Sequence, residues 1–274
     1  MEKPLVITMP KSRLEKLHEE FSIALDRMDS NSLKRWGRES AKIFFKVTKR
    51  RLNNLLKFLG NMSKFVAKET LGYSIAYFKK QFPTHLQQRK GVYKKFVYQN
   101  YLQKKTSLNI LIQAIKSNPK KAAPELLLAF IGFLLGSGGL DGDGGLPDLD
   151  LKAGMGFHRS VFTHSVLLAA TIEATAFSLV KLVELFYVHL PANHDKFWDK
   201  LLANQKRLVK AFATGTCAGI AYHLLIDANI TADQIKPYAD LPFSTSMETH
   251  QAIFGGNAVV EIVDLNQRNK EEDK

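Results

Sequence analysis

Apolar residues that return every three or four positions, with no convincing segment alternating every second one, constrain this chain more than any other feature. Between Leu33 and Leu59 they fall at Trp36, Ile43, Phe44, Val47, Leu55 and Leu59, while Arg35, Arg38, Lys42, Lys46 and Lys49 form a basic stripe. The spacing predicts a helix that ends at Gly60. Pro10 opens an earlier helix through "KSRLEKLHEEFSIALDRM", and "DSNS" supplies the turn and cap before the next. Further helices are expected from Ser63 to Phe82, stopped by Pro83, from about His85 to Lys105, weakened at Gly91, and from Ser107 to just before Pro119. No Asn-Gly hairpin and no internal repeat interrupts the pattern. The fold class that follows is all-α, a helical bundle.

At 274 residues and 45% hydrophobic content, the chain can bury a sizeable core. Its charge of +13 is unevenly placed: residues 1–121 hold 27 of the 39 Lys and Arg but only 8 of the 26 Asp and Glu. The chain therefore divides into a basic amphipathic helical region, 1–121, a helical domain, 122–256, and a C-terminal helix with a charged tail, 257–274. The basic half calls for an anionic partner, either a phospholipid surface or nucleic acid. Its lysines interleave with Phe65, Tyr73, Tyr77, Phe78, Tyr93 and Tyr98, a mixture suited to a membrane interface, where aromatic rings and snorkelling lysines share one boundary. A soluble bundle with its lysines in water uses the same pattern. Nucleic acid has less support, because no helix-turn-helix or RNA-binding aromatic signature accompanies the charge.

Three apolar stretches follow: "ELLLAFIGFLLGSGGL" after Pro124, "SVLLAATIEATAFSLVKLVELFYVHL", and "AFATGTCAGIAYHLLIDANI" after a capped opening at Asn193. Each is shorter than about 20 uninterrupted apolar residues or carries charges, so hydropathy alone does not make any of them a span. Glu173, Lys181 and Glu184 nevertheless share one narrow stripe of an apolar helix, and Gly215 with Gly219 makes a small-xxx-small face that permits close helix contact. Helices in or against a bilayer use both features, as does a tight soluble bundle. The expected location is a membrane, integral or peripheral, with the cytoplasm as the alternative. A single cysteine, Cys217, rules out an internal disulfide and a Cys-rich zinc site and fits a reducing compartment. The segment "MEKPLVITMPKSRLEK" lacks the apolar run and cleavage site of a secretory signal.

Chemistry-bearing residues concentrate between 136 and 227. "PDLD" sets Asp148 and Asp150 two apart, which in an extended segment points both carboxylates to one side. His223 and Asp227 lie four apart on an apolar helix, neighbours on one face. His158 and His164 are too far apart for one helical face, so His158 belongs in an entry loop and His164 in the first turns of the helix that follows. Glycines at 144, 145, 154 and 156 let that loop turn sharply. Carboxylate and imidazole donors without thiolate suit Zn, Mn, Fe or Mg, and six donors are enough for one or two ions. Asp141 and Asp143 read as turn formers, since Lys152 stands where a calcium loop needs Glu. His85, His189, His194 and His250 read as hydrogen-bonded structural residues.

"GLPDLD", "HRSVFTHS" and "AYHLLIDANIT", with "IKPYADLPFS" after them, resemble the ordered motifs of a family of bacterial inner-membrane, metal-dependent hydrolase-like proteins, some under LexA control. The resemblance covers residues 122–245. It implies a metal site of Asp148, Asp150, His158, His164, His223 and Asp227, with Arg159 and Thr163 supporting it as catalytic groups. His158 and His164 stand one residue farther apart than in the family's shorter H-R-G-x-T-H form. The basic half has no counterpart in it. Such a centre would polarise a phosphoryl or carbonyl oxygen, and Arg159 would hold a phosphate with two parallel hydrogen bonds. The expected substrate is a phosphoester at or near a membrane surface. The alternative is a non-enzymatic membrane- or partner-binding protein in which the same residues hold a structural metal or a polar network.

Overall fold

The Ser12 hydroxyl accepts a hydrogen bond from the Glu15 N–H while the Glu15 carboxylate accepts one from the Ser12 N–H, and this capping box starts helix α1, Arg13–Arg27. The computed structural model describes residues 12–139, 144–153, 159–229 and 244–272, with Tyr238, Asp240 and Pro242 between. Pro10, Asp141, Asp143, Gly154, Gly156 and His158 lie outside the described residues. The architecture is all-α, with no β-strand among the described residues. After α1 come α2, Ser30–Phe78, α3, Phe82–Ser117, and α4, Pro119–Ser137. A short 3-10 helix, Pro147–Ala153, precedes α5, Val166–His189, α6, Lys196–Ala228, and α7, Met247–Glu272.

Several expected boundaries move. The helix expected to stop at Gly60 continues to Phe78, because a glycine in open space weakens a helix by only about 1 kcal/mol and no proline or left-handed cap follows it. The break comes at Lys80, whose φ of 56° is left-handed, and Pro83 is absorbed in the first turn of α3 rather than ending a helix. Residues 82–117 form one helix through Gly91 and Ser107, again for want of a proline. Helix α4 begins at Pro119, capped by Asn118, and Asp195 rather than Asn193 caps α6. The boundary expected at 256/257 falls inside α7, so the C-terminal helix belongs to the bundle.

The core is centred on α6, whose Cys217, Ile220, Leu224 and Ala228 are buried against Leu168, Ala169, Phe254 and Ala258. Its closest partner is α4. Gly215 and Gly219 face Gly132 and Gly136 so tightly that a Cβ at Gly215 would strike the Ala129 carbonyl, and one at Gly136 the Thr216 carbonyl. The small-xxx-small face read from α6 therefore meets a matching one on α4.

The basic front half is tied into this bundle rather than hung beside it. Trp36 donates to the Ser178 carbonyl at 2.9 Å, and Val47 packs with Ala170 and Ala174. Below them lies a buried ion cluster: Arg51 reaches Glu261 at 2.6 Å and Glu173 at 3.0 Å, Arg50 reaches Glu173 at 2.7 Å, and Asn54 donates to Asp264 at 2.8 Å. Arg35, Arg38, Lys42, Lys46 and Lys49 stay exposed. At the other end Arg13 pairs with Asp195 at 2.9 Å, and the Trp198 indole donates to Glu20, also buried, at 2.8 Å. Helices α5 and α6 are each long and apolar enough to cross a membrane.

Candidate metal centre

The close fit of α4 on α6 brings the end of α4 to His223. Gly138 ends α4 in the left-handed conformation, and the Ser137 carbonyl lies 3.3 Å from His223 Nδ1. That contact turns His223 Nε2 toward the loop that carries His164. Gly144 and Gly145, with φ of 88° and 79°, then reverse the chain, and the Gly144 N–H donates to Asp148 Oδ2 at 2.6 Å.

The two aspartates of "PDLD" occupy a 3-10 helix instead of an extended segment, because Pro147 and the turn before it start a helical path. At three residues per turn, side chains two apart diverge instead of sharing a side. They take opposite edges of one ring: Asp148 Oδ1 lies 3.4 Å from His164 Nε2, and Asp150 Oδ2 lies 3.3 Å from His164 Nδ1. Asp150 also accepts from the Thr163 hydroxyl at 2.5 Å and from the Ser160 N–H at 2.9 Å. Thr163 Oγ1 is itself 2.9 Å from His164 Nδ1. Asp150 and Thr163 thus hold the ring by its Nδ1 edge and leave Nε2 facing inward, the arrangement by which outer carboxylates orient a ligating histidine. His164 sits in the turn just before α5 and not within the helix.

His164 Nε2 and His223 Nε2 are 3.3 Å apart. Asp148 Oδ1 lies 3.7 Å from His223 Nε2, and Asp227 Oδ2 lies 3.5 and 3.4 Å from the nitrogens of His164 and His223. Two ligands about 2.0–2.1 Å from one ion at a tetrahedral angle are separated by about 3.3 Å. Asp148, His164 and His223 therefore form a buried group that can hold a metal ion. Asp227 Oδ2 accepts no hydrogen bond among the described residues, as suits an oxygen directed at a cation.

Charge placement agrees with this geometry. Burial pushes the Asp148 carboxyl up, but His164, His223 and the Gly144 N–H outweigh it and hold the group below its ordinary range. Burial likewise opposes ionisation of Asp227, whose neighbours His223, Arg159 and His164 bring it down. For His223 burial favours the neutral ring, and Asp227 with Asp148 reverses that, raising its pKa. The site attracts positive charge.

Arg159 stands 3.3 Å by its Nε from Asp227 Oδ1, an ion pair without hydrogen-bond geometry, on a left-handed backbone with φ of 64°. That conformation is uncommon outside glycine and costs energy that the surrounding loop must supply. Asp240 supplies part of it by accepting from the Val161 N–H at 3.0 and 3.1 Å. His250 backs the other side, its Nε2 3.0 Å from the Asp227 carbonyl and its ring against Phe254. The supports that the residue types did not single out are Ser160, Asp240 and the Ser137 carbonyl. Ser160 and Asp240 stand inside the motifs themselves, whereas a backbone carbonyl leaves no trace in a sequence. His189 and His194 bond nearby carbonyls at the far end of the bundle, and His85 packs edge-on against Tyr73.

Comparison with protein-family models, with curated proteins and with solved structures gives no match.

Proposed function

We propose that this protein is a membrane-associated, metal-dependent hydrolase of a phosphoester, of the bacterial inner-membrane type that its motifs resemble. The observation that carries the reading is the convergence of His164 Nε2, His223 Nε2 and Asp148 Oδ1, buried and at the separations of ligands on one ion. Asp227 would complete the set. A divalent ion of the Zn, Mn, Fe or Mg class held there supplies Lewis acidity toward a phosphoryl oxygen and toward water. Asp150 and Thr163 fix the His164 ring, and the Ser137 carbonyl fixes His223. Arg159, beside Asp227, is the group suited to hold the phosphoryl oxygens, through its fork of N–H donors.

One observation favours a second reading. His164, His223 and Asp148 are almost fully shielded from solvent, as the ligands of a structural metal are. The test is metal analysis of the purified protein alongside phosphodiesterase and phospholipase assays of the wild type and Asp148→Asn. Loss of metal and turnover in a variant that stays folded supports the hydrolase. Loss of metal together with a large fall in Tm, and no turnover in either protein, supports a structural metal.

A further inference from the structure

The strongest unassigned feature lies at the other end of α6. A cleft of about 550 Å³ between α2, α5 and α6 is rimmed by Lys46, Arg50, Lys181, Lys206, Arg207 and Lys210, and none of its lining residues is acidic. Its floor is apolar, formed by Ile43, Val47, Phe177 and Val180. Arg50 pairs with Glu173 at 2.7 Å and Arg207 with Glu125 at 2.5 Å, and the one carboxylate of Glu184 answers both Lys181, at 2.7 Å, and Lys206, at 3.8 Å, so the cations of the rim outnumber the carboxylates that meet them. Across α6 a second cleft, of about 700 Å³, carries Lys120, Lys121 and Lys200 and shares Arg207 with the first. Between them runs an apolar slot of about 280 Å³, whose only polar lining residue is Gln205. The slot shares Val180 with the first cleft, and Leu201 and Leu208 with the second.

We infer that these adjoining clefts bind an anionic phospholipid, with the phosphate on the lysine rim and an acyl chain along the apolar slot between α4, α5 and α6. Charge complementarity selects a phosphate-bearing ligand, since cations at an anionic surface each add affinity. The slot selects an amphiphile over free phosphate, since an inorganic anion has nothing to place against Leu128, Leu179, Val183 and Phe212. A nucleic-acid backbone likewise has no aliphatic chain to lay along the slot, whose lining is aliphatic apart from Phe212 and Gln205. Lys206 and His223 are 17 residues apart on one helix, about 25 Å, so the lipid site is distinct from the metal centre. The inference rests on the membrane association proposed above and is independent of the metal.

The test compares the wild type with a variant in which exposed lysines on both sides of α6 are neutralised, Lys46→Gln, Lys200→Gln and Lys206→Gln together. A second triple, Lys64→Gln, Lys68→Gln and Lys94→Gln, removes the same charge from exposed positions on α2 and α3. Binding is measured in chelator to vesicles of three parts phosphatidylcholine to one part phosphatidylglycerol, with circular dichroism as the check on folding. The cleft variant should bind about a hundredfold more weakly, roughly fivefold for each lysine, while the control triple changes binding far less. Inorganic phosphate should not displace the vesicles. Equal losses in the two triples would overturn the lipid site while leaving membrane association standing, and no binding by the wild type would overturn both. Displacement by phosphate, or binding of a DNA duplex in place of vesicles with loss in the same cleft variant, would reassign the cleft to a soluble or polymeric anion.

Discussion

Asp150 and Asp148 hold the two edges of a single imidazole, His164, one at 3.3 Å from Nδ1 and the other at 3.4 Å from Nε2. The two carboxylates are close in sequence but differ in role: one positions the ring, the other shares its inward face. Asp150→Asn should weaken metal binding by about 10–100-fold, the range expected for an outer partner of a ligating histidine, and Asp148→Asn should weaken it more. Titration against a coloured chelator ranks the two; the reverse order would exchange their roles.

Asp227→Asn keeps the shape of the side chain and removes the charge. If the metal serves catalysis, this variant should stay folded, lose metal affinity and lose turnover. Unchanged metal content with unchanged stability and activity would remove Asp227 from the centre.

Arg51 is buried with Glu261 and Glu173, and it anchors α2 to α5 and α7. Arg51→Met leaves two carboxylates with less compensation and should destabilise the protein by about 3–5 kcal/mol. At about 2–4 °C per kcal/mol for a chain of this size, Tm should fall by roughly 10 °C. A calorimetric scan that shows no fall would mean that α2 is held by its apolar contacts alone.

Gly215→Ala drives a methyl group into the Ala129 backbone and must part α4 from α6. The expected cost is about 1–3 kcal/mol, and because the Ser137 carbonyl retreats from His223, metal affinity should drop as well. Chemical denaturation and metal titration of the same variant check both effects.

Arg13 holds the Asp195 carboxyl down to about 2, by a side-chain hydrogen bond first and with the Phe197 N–H second. A depressed carboxylate contributes stability above its unfolded pKa, near 3.9, and loses that contribution as pH falls through about 2. The wild type should therefore lose stability across that window more steeply than Arg13→Gln, whose Asp195 titrates nearer its unfolded value. Parallel acid-limb Tm profiles for the two proteins would show that the pair does not couple to folding.

The helical class was legible because the apolar spacing holds over long stretches, and Gly215 with Gly219 signalled a close contact through their spacing alone. Its counterpart, Gly132 with Gly136, carries the same spacing inside "ELLLAFIGFLLGS". Helix ends were less legible, since a lone glycine such as Gly60 breaks a helix only where a turn follows. Within the run of cations on α2, residue type does not distinguish Arg50 and Arg51, which meet Glu173, Glu261 and Asp264, from Arg35 and Arg38, which are exposed. That difference is set by α5 and α7, more than a hundred residues away. In the candidate site the donor types were legible, whereas the division between Asp148 and Asp150 depends on the 3-10 turn after Pro147.

The most direct test of the metal centre is anomalous diffraction from a crystal of the purified protein soaked in zinc. A peak should appear bounded by His164 Nε2, His223 Nε2 and Asp148 Oδ1, with Asp227 beside it and Asp150 outside it. A saturated crystal with no peak between those atoms, or with its zinc held elsewhere, would contradict that centre.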